Sequence, residues 1–224
     1  MEKDLIKEQY KNKIKIIPDA INTKDAKEIT DFIDKYQSDE TKFRGNIGYA
    51  HKKGMGYRAV FPDNKAPNLF KEIESVLTKY SNFFIEQCKS FYKNKKIYFY
   101  GYSITRLEPG IQLRLHQDIH ESVHGEPNKL AYSASLYLND GYDGGNIVFL
   151  NDFKSDVDFP LYEEVLNGFM HHQKKHEMVL FQADLWHATD LLKGGTRDAL
   201  IFWATTNKEH EFKGFDSDFV WNPL

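Results

Sequence analysis

Beyond residue 97 the apolar residues stop recurring at helical spacing and gather into short aromatic and β-branched stretches separated by Gly, Asn and Asp. The candidate strands are IYFYGYSITRL (97–107), IQLRLHQD (111–118), AYSASLYLN (131–139), NIVFL (146–150), EMVLFQ (177–182) and ALIFWATT (199–206). So many short strands without helices between them argue for an antiparallel sandwich or jelly roll, with its core at about 96–207. One long polar stretch interrupts the pattern. Residues 151–177 read as an insertion or lid, with a short helix near LYEEVLNG that Gly168 ends.

The first part of the chain, about 1–95, follows a different period. NTKDAKEITDFIDKYQ (22–37) offers Asn22 or Thr23 as an N-cap and sets Ala26, Ile29, Ile33 and Tyr36 on one helical face. Residues 41–62 carry Gly45, Gly48, Gly54, Gly56 and Pro62, too much punctuation for a long element, and read as loop with short extended pieces. A second, longer helix is expected from APNLFKEIESVLTKYSNFFIEQCKSFYK. It has Pro67 near its first turn and a stripe of Leu69, Phe70, Ile73, Val76, Leu77, Tyr80, Phe84 and Cys88. These helices are expected to pack outside the sheets, making residues 1–224 one elaborated domain.

Composition narrows the chemistry. Cys88 is the only cysteine, which excludes an intrachain disulfide or a cysteine zinc cluster and leaves histidine and carboxylate to supply any metal site. A formal charge of -3 gives no global basic field for nucleic acid or an anionic membrane. No apolar run has the length of a signal peptide or a membrane span, so a soluble, cytoplasmic protein is expected.

The stretch RLHQDIHES (114–122) holds two histidines and two acids. On a strand, period 2 places His116, Asp118 and His120 on one face at about 7 Å per step, a possible row of ligands. Alone, a His-x-Asp among 9 histidines is also compatible with an ordinary polar strand edge. The wider order is more specific: His116-x-Asp118, then LYLNDGYDGG, then His187 in FQADLWHAT, then Arg197 in GGTRDALIFW.

Over roughly Tyr98 to Thr206 these motifs, together with TRLEPGIQLRLHQD, resemble the iron(II)- and 2-oxoglutarate-dependent dioxygenases, within them the prolyl 4-hydroxylase-like group. The resemblance implies a double-stranded β-helix (a cupin-like jelly roll), mainly β with flanking N-terminal helices. It also implies Fe(II) held by His116, Asp118 and His187, a facial triad that leaves three coordination positions open. In such enzymes 2-oxoglutarate takes two of these positions and O2 the third, giving succinate, CO2 and a hydroxylated C–H, with ascorbate as an accessory reductant. Arg197 matches the residue that binds the far carboxylate, and Tyr137 matches a tyrosine that assists it in some relatives. Tyr102 and Trp203 are further aromatic candidates for the pocket, Tyr102 as a co-substrate residue, although aromatics on strands are more often simple core residues. Asp118 stands where halogenating relatives carry a small residue, which favours hydroxylation. Leu107 stands where many prolyl hydroxylases carry a tyrosine, which weakens a specifically prolyl substrate.

Each residue also has a plainer reading. His120 reads as a residue at the pocket mouth rather than a ligand. His171, His172 and His176 read as solvated loop residues, and Asp156, Asp158, Glu163 and Glu164 as lid surface. The partners implied are 2-oxoglutarate, O2 and a peptidyl residue or free amino acid, alternatively a natural-product small molecule; the sequence is silent on oligomeric state. Nucleic-acid demethylation is disfavoured, because Trp203 stands where such relatives carry a second arginine. A non-catalytic metal-binding jelly roll or a zinc hydrolase would leave Arg197 without a role.

Overall fold

The computed structural model describes residues 8–36, 44–45, 57–60, 69–113, 115–118, 130–150 and 168–212. Helix α1 (Thr23–Tyr36) begins where its cap predicts. Asn22 Oδ1 accepts from the Asp25 N–H at 2.9 Å, and Asn22 Nδ2 donates to Asp25 Oδ2 at 2.8 Å. Helix α2 spans Glu74–Phe91, and residues Leu69–Ile73 ahead of it form a 3-10 turn instead of extending it. Ile73 at its N-cap has no side-chain acceptor for the orphan N–H groups, and tighter i→i+3 bonds are the usual substitute. Pro67 lies outside the described residues.

Asp25 also accepts from Lys79 Nζ at 2.6 Å and from the Tyr80 hydroxyl at 2.7 Å, which ties α1 to α2. The Lys79 hydrogen bond holds the Asp25 carboxyl below its ordinary value of 3.8, against the opposing effect of burial. A depressed folded-state pKa stabilises the fold above the unfolded value, and that stabilisation is lost as pH falls through the folded one. Asp25→Asn is therefore expected to lower the urea midpoint at pH 7 and to flatten its decline below about pH 4.

Among the described residues ten strands form two sheets. The larger is ordered β1 (Ile14–Ile17), β8 (Met178–Gln182), β5 (Tyr132–Tyr137), β10 (Arg197–Thr205), β4 (Tyr98–Leu107), β3 (Tyr57–Val60), β2 (Arg44–Gly45). The smaller is ordered β7 (Phe169–His171), β6 (Ile147–Leu150), β9 (Trp186–Thr189), and the named pairings are antiparallel. This is the expected jelly roll with helices on its outside.

The central strands are buried on both faces, and register decides which side chain goes where. Phe202 lies opposite both Tyr102 and Ala134, and Leu200 opposite Ile104 and Leu136. With Met178 and Leu180 these pack on Ile29, Phe32, Ile33, Leu77, Phe84 and Cys88 of the helices. Alternate residues Tyr137, Ala199, Val179 and Phe181 face inward, where they meet Ile147, Phe149 and Phe169 of the smaller sheet. Cys88 is a packing residue, as expected, and burial pushes its thiol pKa up.

Several expectations need correction. The described residues of IQLRLHQD do not form a regular strand; they run beside β9 through irregular bonds that include Leu113 N–H to Thr189 Oγ1 at 2.9 Å. The proposed insertion also ends early, because Phe169–His171 is a strand of the smaller sheet. The helix expected near LYEEVLNG and the acids Asp156, Asp158, Glu163 and Glu164 fall outside the described residues. Strands β1, β7 and β9 were not anticipated; each is four residues or fewer, too short to show a period. No helix among the described residues is long and apolar enough to cross a membrane.

On the helix side of the sheet Arg106 bonds Asp198 through Nε (2.7 Å) and Nη2 (2.6 Å), and reaches Asp34 of α1 through Nη1 (2.7 Å). Arg106 and Asp198 are both buried, so removing one partner strands the other charge. Asp198→Ala is expected to cost about 3–5 kcal/mol in urea unfolding, and the double variant Arg106→Met/Asp198→Leu clearly less.

Candidate functional site

β9 carries His187, and the irregular segment beside it carries His116 and Asp118. His116 and His187 exchange both backbone hydrogen bonds at 2.9 Å, which sets their side chains on the same side with ring centroids 4.2 Å apart. The Asp118 N–H bonds Ala183 O at 3.0 Å, which anchors the end of the segment. Asp118 Oδ1 then lies 3.7 Å from His116 Nε2 and 3.9 Å from His187 Nε2. One ligating atom from each residue falls within 4.8 Å of the others.

The tautomer of His187 follows from its surroundings. Its Nδ1 lies 2.9 Å from Leu185 O, and a carbonyl only accepts, so Nδ1 carries the proton and Nε2 keeps a lone pair for a metal. Phe181 and Phe149 flank the imidazole at centroid distances of 4.8 and 6.2 Å, giving an apolar wall. Two imidazoles and one carboxylate fit a divalent iron-type ion with open positions.

Arg197 opens β10, where it pairs with Leu107, and is only 4% exposed. Its Nη1 donates to Gly145 O, and its guanidinium carbon lies 5.6 Å from the centroid of the Tyr137 ring. Nε is buried without an acceptor. Among the described residues no carboxylate lies within ion-pair distance of Arg197, so a desolvated cation awaits an anion. Burial raises the Tyr137 pKa, with Arg197 opposing, so the phenol remains a donor at neutral pH.

Phe149 and Phe181, which flank His187, share one interior cluster with Tyr137, so the metal-type cluster and the arginine address the same barrel interior. Gly144 makes the nearby turn possible. It sits at φ +81, and a Cβ there would lie 2.0 Å from Leu191 O.

The structure thus brings His116, Asp118 and His187 together, and Arg197 with Tyr137. Tyr102 is a correction: register puts it on the helix side with Phe202 and Ala134, stacked near Phe99, and not in the barrel interior. Trp203 pairs with Ser133, which pairs with Phe181, so it shares their inward face. His120 lies outside the described residues. His171 is a further correction, since it is buried in β7 with its Nε2 hydrogen-bonded to the buried Glu177.

Two residues near the arginine were missed. Tyr142 packs against Leu107, Ile111 and Leu192, and its pKa is raised by burial, opposed by Arg197. Gln173 bonds the turn that receives Arg197. Tyr142 lies within the LNDGYDGG motif, but Gln173 sits in a polar stretch that shows no periodicity.

Fold and side chains together define a double-stranded β-helix protein with a two-histidine, one-carboxylate cluster and a buried arginine that has no carboxylate partner among the described residues. No family model matches the sequence, and neither does any curated protein. Among solved structures the fold is that of 2-oxoglutarate/Fe(II) oxygenases and prolyl hydroxylases. One is a prolyl hydroxylase from Trichoplax adhaerens in complex with a hypoxia inducible factor peptide fragment: 16% identity, TM-score 0.57, covering 89% of this chain and 86% of that one. Another is HygX from Streptomyces hygroscopicus with nickel and 2-oxoglutarate bound: 13% identity, TM-score 0.57, covering 90% and 87%. A third is the α-ketoglutarate-dependent epimerase SnoN from nogalamycin biosynthesis: 12% identity, TM-score 0.63, covering 88% and 77%. At these identities the likeness is one of fold.

Proposed function

We propose that the chain is an Fe(II)- and 2-oxoglutarate-dependent dioxygenase that hydroxylates an aliphatic C–H. The observation that carries this reading is Arg197, a buried cation facing the interior that the His116–Asp118–His187 cluster also addresses. A metal site alone suits many chemistries. A metal site joined to a waiting guanidinium suits a ligand that chelates the ion at one end and carries a carboxylate at the other.

His116 and His187, through Nε2, and Asp118, through its carboxylate, would hold the ion, with the Leu185 carbonyl fixing the orientation of His187. Arg197 would receive the distal carboxylate of 2-oxoglutarate, and the Tyr137 phenol would donate to it. Phe149 and Phe181 keep water from the far side of His187. When bound, the metal supplies the oxidising chemistry: 2-oxoglutarate and O2 become succinate and CO2, and the second oxygen atom enters the substrate as a hydroxyl group. The Asp118 carboxylate fills the position that a halide would need, which supports hydroxylation over halogenation.

The substrate proposed first is a peptidyl residue or a free amino acid, in keeping with the peptide held by the Trichoplax adhaerens neighbour. A natural-product small molecule is the second reading, favoured by the SnoN neighbour and by Leu107 in place of a tyrosine. Ascorbate would serve as an accessory reductant.

The test is anaerobic addition of Fe(II) and 2-oxoglutarate. The expected result is a weak visible charge-transfer band that needs both additions. A colourless mixture would overturn the proposal. Succinate release under air, screened over proline-containing peptides and free amino acids with mass detection of one added oxygen, then separates the substrate classes.

A further inference from the structure

The stretch HHQKKHE between β7 and β8 alternates its burial. His171, Gln173 and Glu177 point inward, whereas His172, Lys174 and Lys175 are exposed. Gln173 uses both ends of its amide: Nε2 donates to Gly145 O at 2.8 Å, and Oε1 accepts from the Ile147 N–H at 3.1 Å. It therefore bridges the peptide groups on either side of Asn146 and fixes the direction of the Gly145 carbonyl. That same oxygen accepts from Arg197 Nη1. A Cβ on Gly145 would lie 3.6 Å from Nη1, so the guanidinium packs directly on this turn. Glu177, a buried carboxylate on the same stretch, is occupied by His171.

The consequence is directional. Nη1 spends one of its N–H groups on Gly145, so of the two guanidinium edges that can hold a carboxylate the Nε–Nη2 edge is the one without a bond to this turn, and its Nε is buried without an acceptor. A carboxylate laid along that edge makes two parallel charge-assisted hydrogen bonds. We propose that Gln173 is a positioning residue that, through the Gly145 carbonyl, aims the Nε–Nη2 edge of Arg197 at the second carboxylate of a 2-oxo diacid. It thereby sets the preference for diacids over 2-oxo monoacids. This rests on the dioxygenase reading above.

Calorimetry on the anaerobic Fe(II)-loaded protein, with 2-oxoglutarate and pyruvate as probes, tests it. Pyruvate shares the chelating 2-oxo acid but lacks the second carboxylate. Gln173→Met is expected to weaken 2-oxoglutarate binding about 10-fold, as for a buried group losing its hydrogen bonds, and to leave pyruvate binding unchanged. Gln173→Glu keeps an acceptor for Ile147, loses the donor to Gly145 and sets a negative charge beside the guanidinium. It is expected to weaken 2-oxoglutarate more than Gln173→Met does, again sparing pyruvate, and it serves alone if the methionine variant does not fold. Equal losses for both acids, or no loss in the glutamate variant, overturn the inference. A wild-type protein that binds pyruvate and 2-oxoglutarate equally overturns it too. One that binds neither acid overturns the dioxygenase reading, and the inference with it.

Discussion

Asp118→Ala and His187→Ala are each expected to abolish succinate release. The Asp118 variant should move the unfolding free energy of the metal-free protein by no more than about 1 kcal/mol, whereas the His187 variant also loses its packing on Phe181 and Phe149 and costs more. Among the described residues the Asp118 carboxylate has no structural partner besides the two imidazoles. Asp118 Oδ1 is 3.9 Å from His187 Nε2, too far for a hydrogen bond that would stabilise the apo-protein. Losing an outer-shell partner costs about 10–100-fold in metal affinity, and losing a direct ligand should cost more. The measurements are Fe(II) binding, succinate yield and urea unfolding of the apo-protein. Near-normal turnover in either variant would show that the ion sits elsewhere. A large loss of apo-stability in Asp118→Ala would show that its carboxylate is structural.

Arg197→Met is expected to separate stability from function in the opposite sense. Truncating one partner of a buried, hydrogen-bonded charge pair costs about 2–5 kcal/mol of binding, or roughly 30-fold or more in the 2-oxoglutarate dissociation constant. Among the described residues, Arg197 without a ligand has the Gly145 carbonyl and the Tyr137 ring, and no carboxylate, to offset its desolvation. An apolar side chain of similar length should therefore leave the apo-protein equally stable or stabilise it. A thermal melt with and without 2-oxoglutarate reads both effects. Wild type should gain stability from the ligand by mass action and the variant should not. A variant that melts far below wild type without ligand would make Arg197 a structural residue and remove the main support for the proposed function.

Much of the architecture was legible because hydrophobic period is a local property. Helix α1 and its Asn22 cap, the stripe of α2, and strands β4, β5, β6, β8 and β10 all appear close to their expected limits. The short strands did not, since two turns of a period cannot be read from three or four residues. The segment carrying His116 and Asp118 is instructive. It was expected to align its ligands through strand periodicity, yet one isolated bridge to His187 does so.

What the sequence by itself determined is the periodic burial of its elements, and so the jelly roll with helices outside it. The order of its polar residues, through the family they resemble, also pointed to the proposed ligand set and the arginine. Only the tertiary structure decided which face each inward or outward residue serves. Register along β10 sends Tyr102 to the helices and Tyr137 to the barrel, though both are buried tyrosines on the two strands that flank it. Tertiary structure alone brought Gln173 from a lysine-rich stretch to the carbonyl that holds Arg197. The physical reason is that burial pattern is written in near neighbours along the chain, whereas a hydrogen bond between distant segments depends on how two sheets are set against each other.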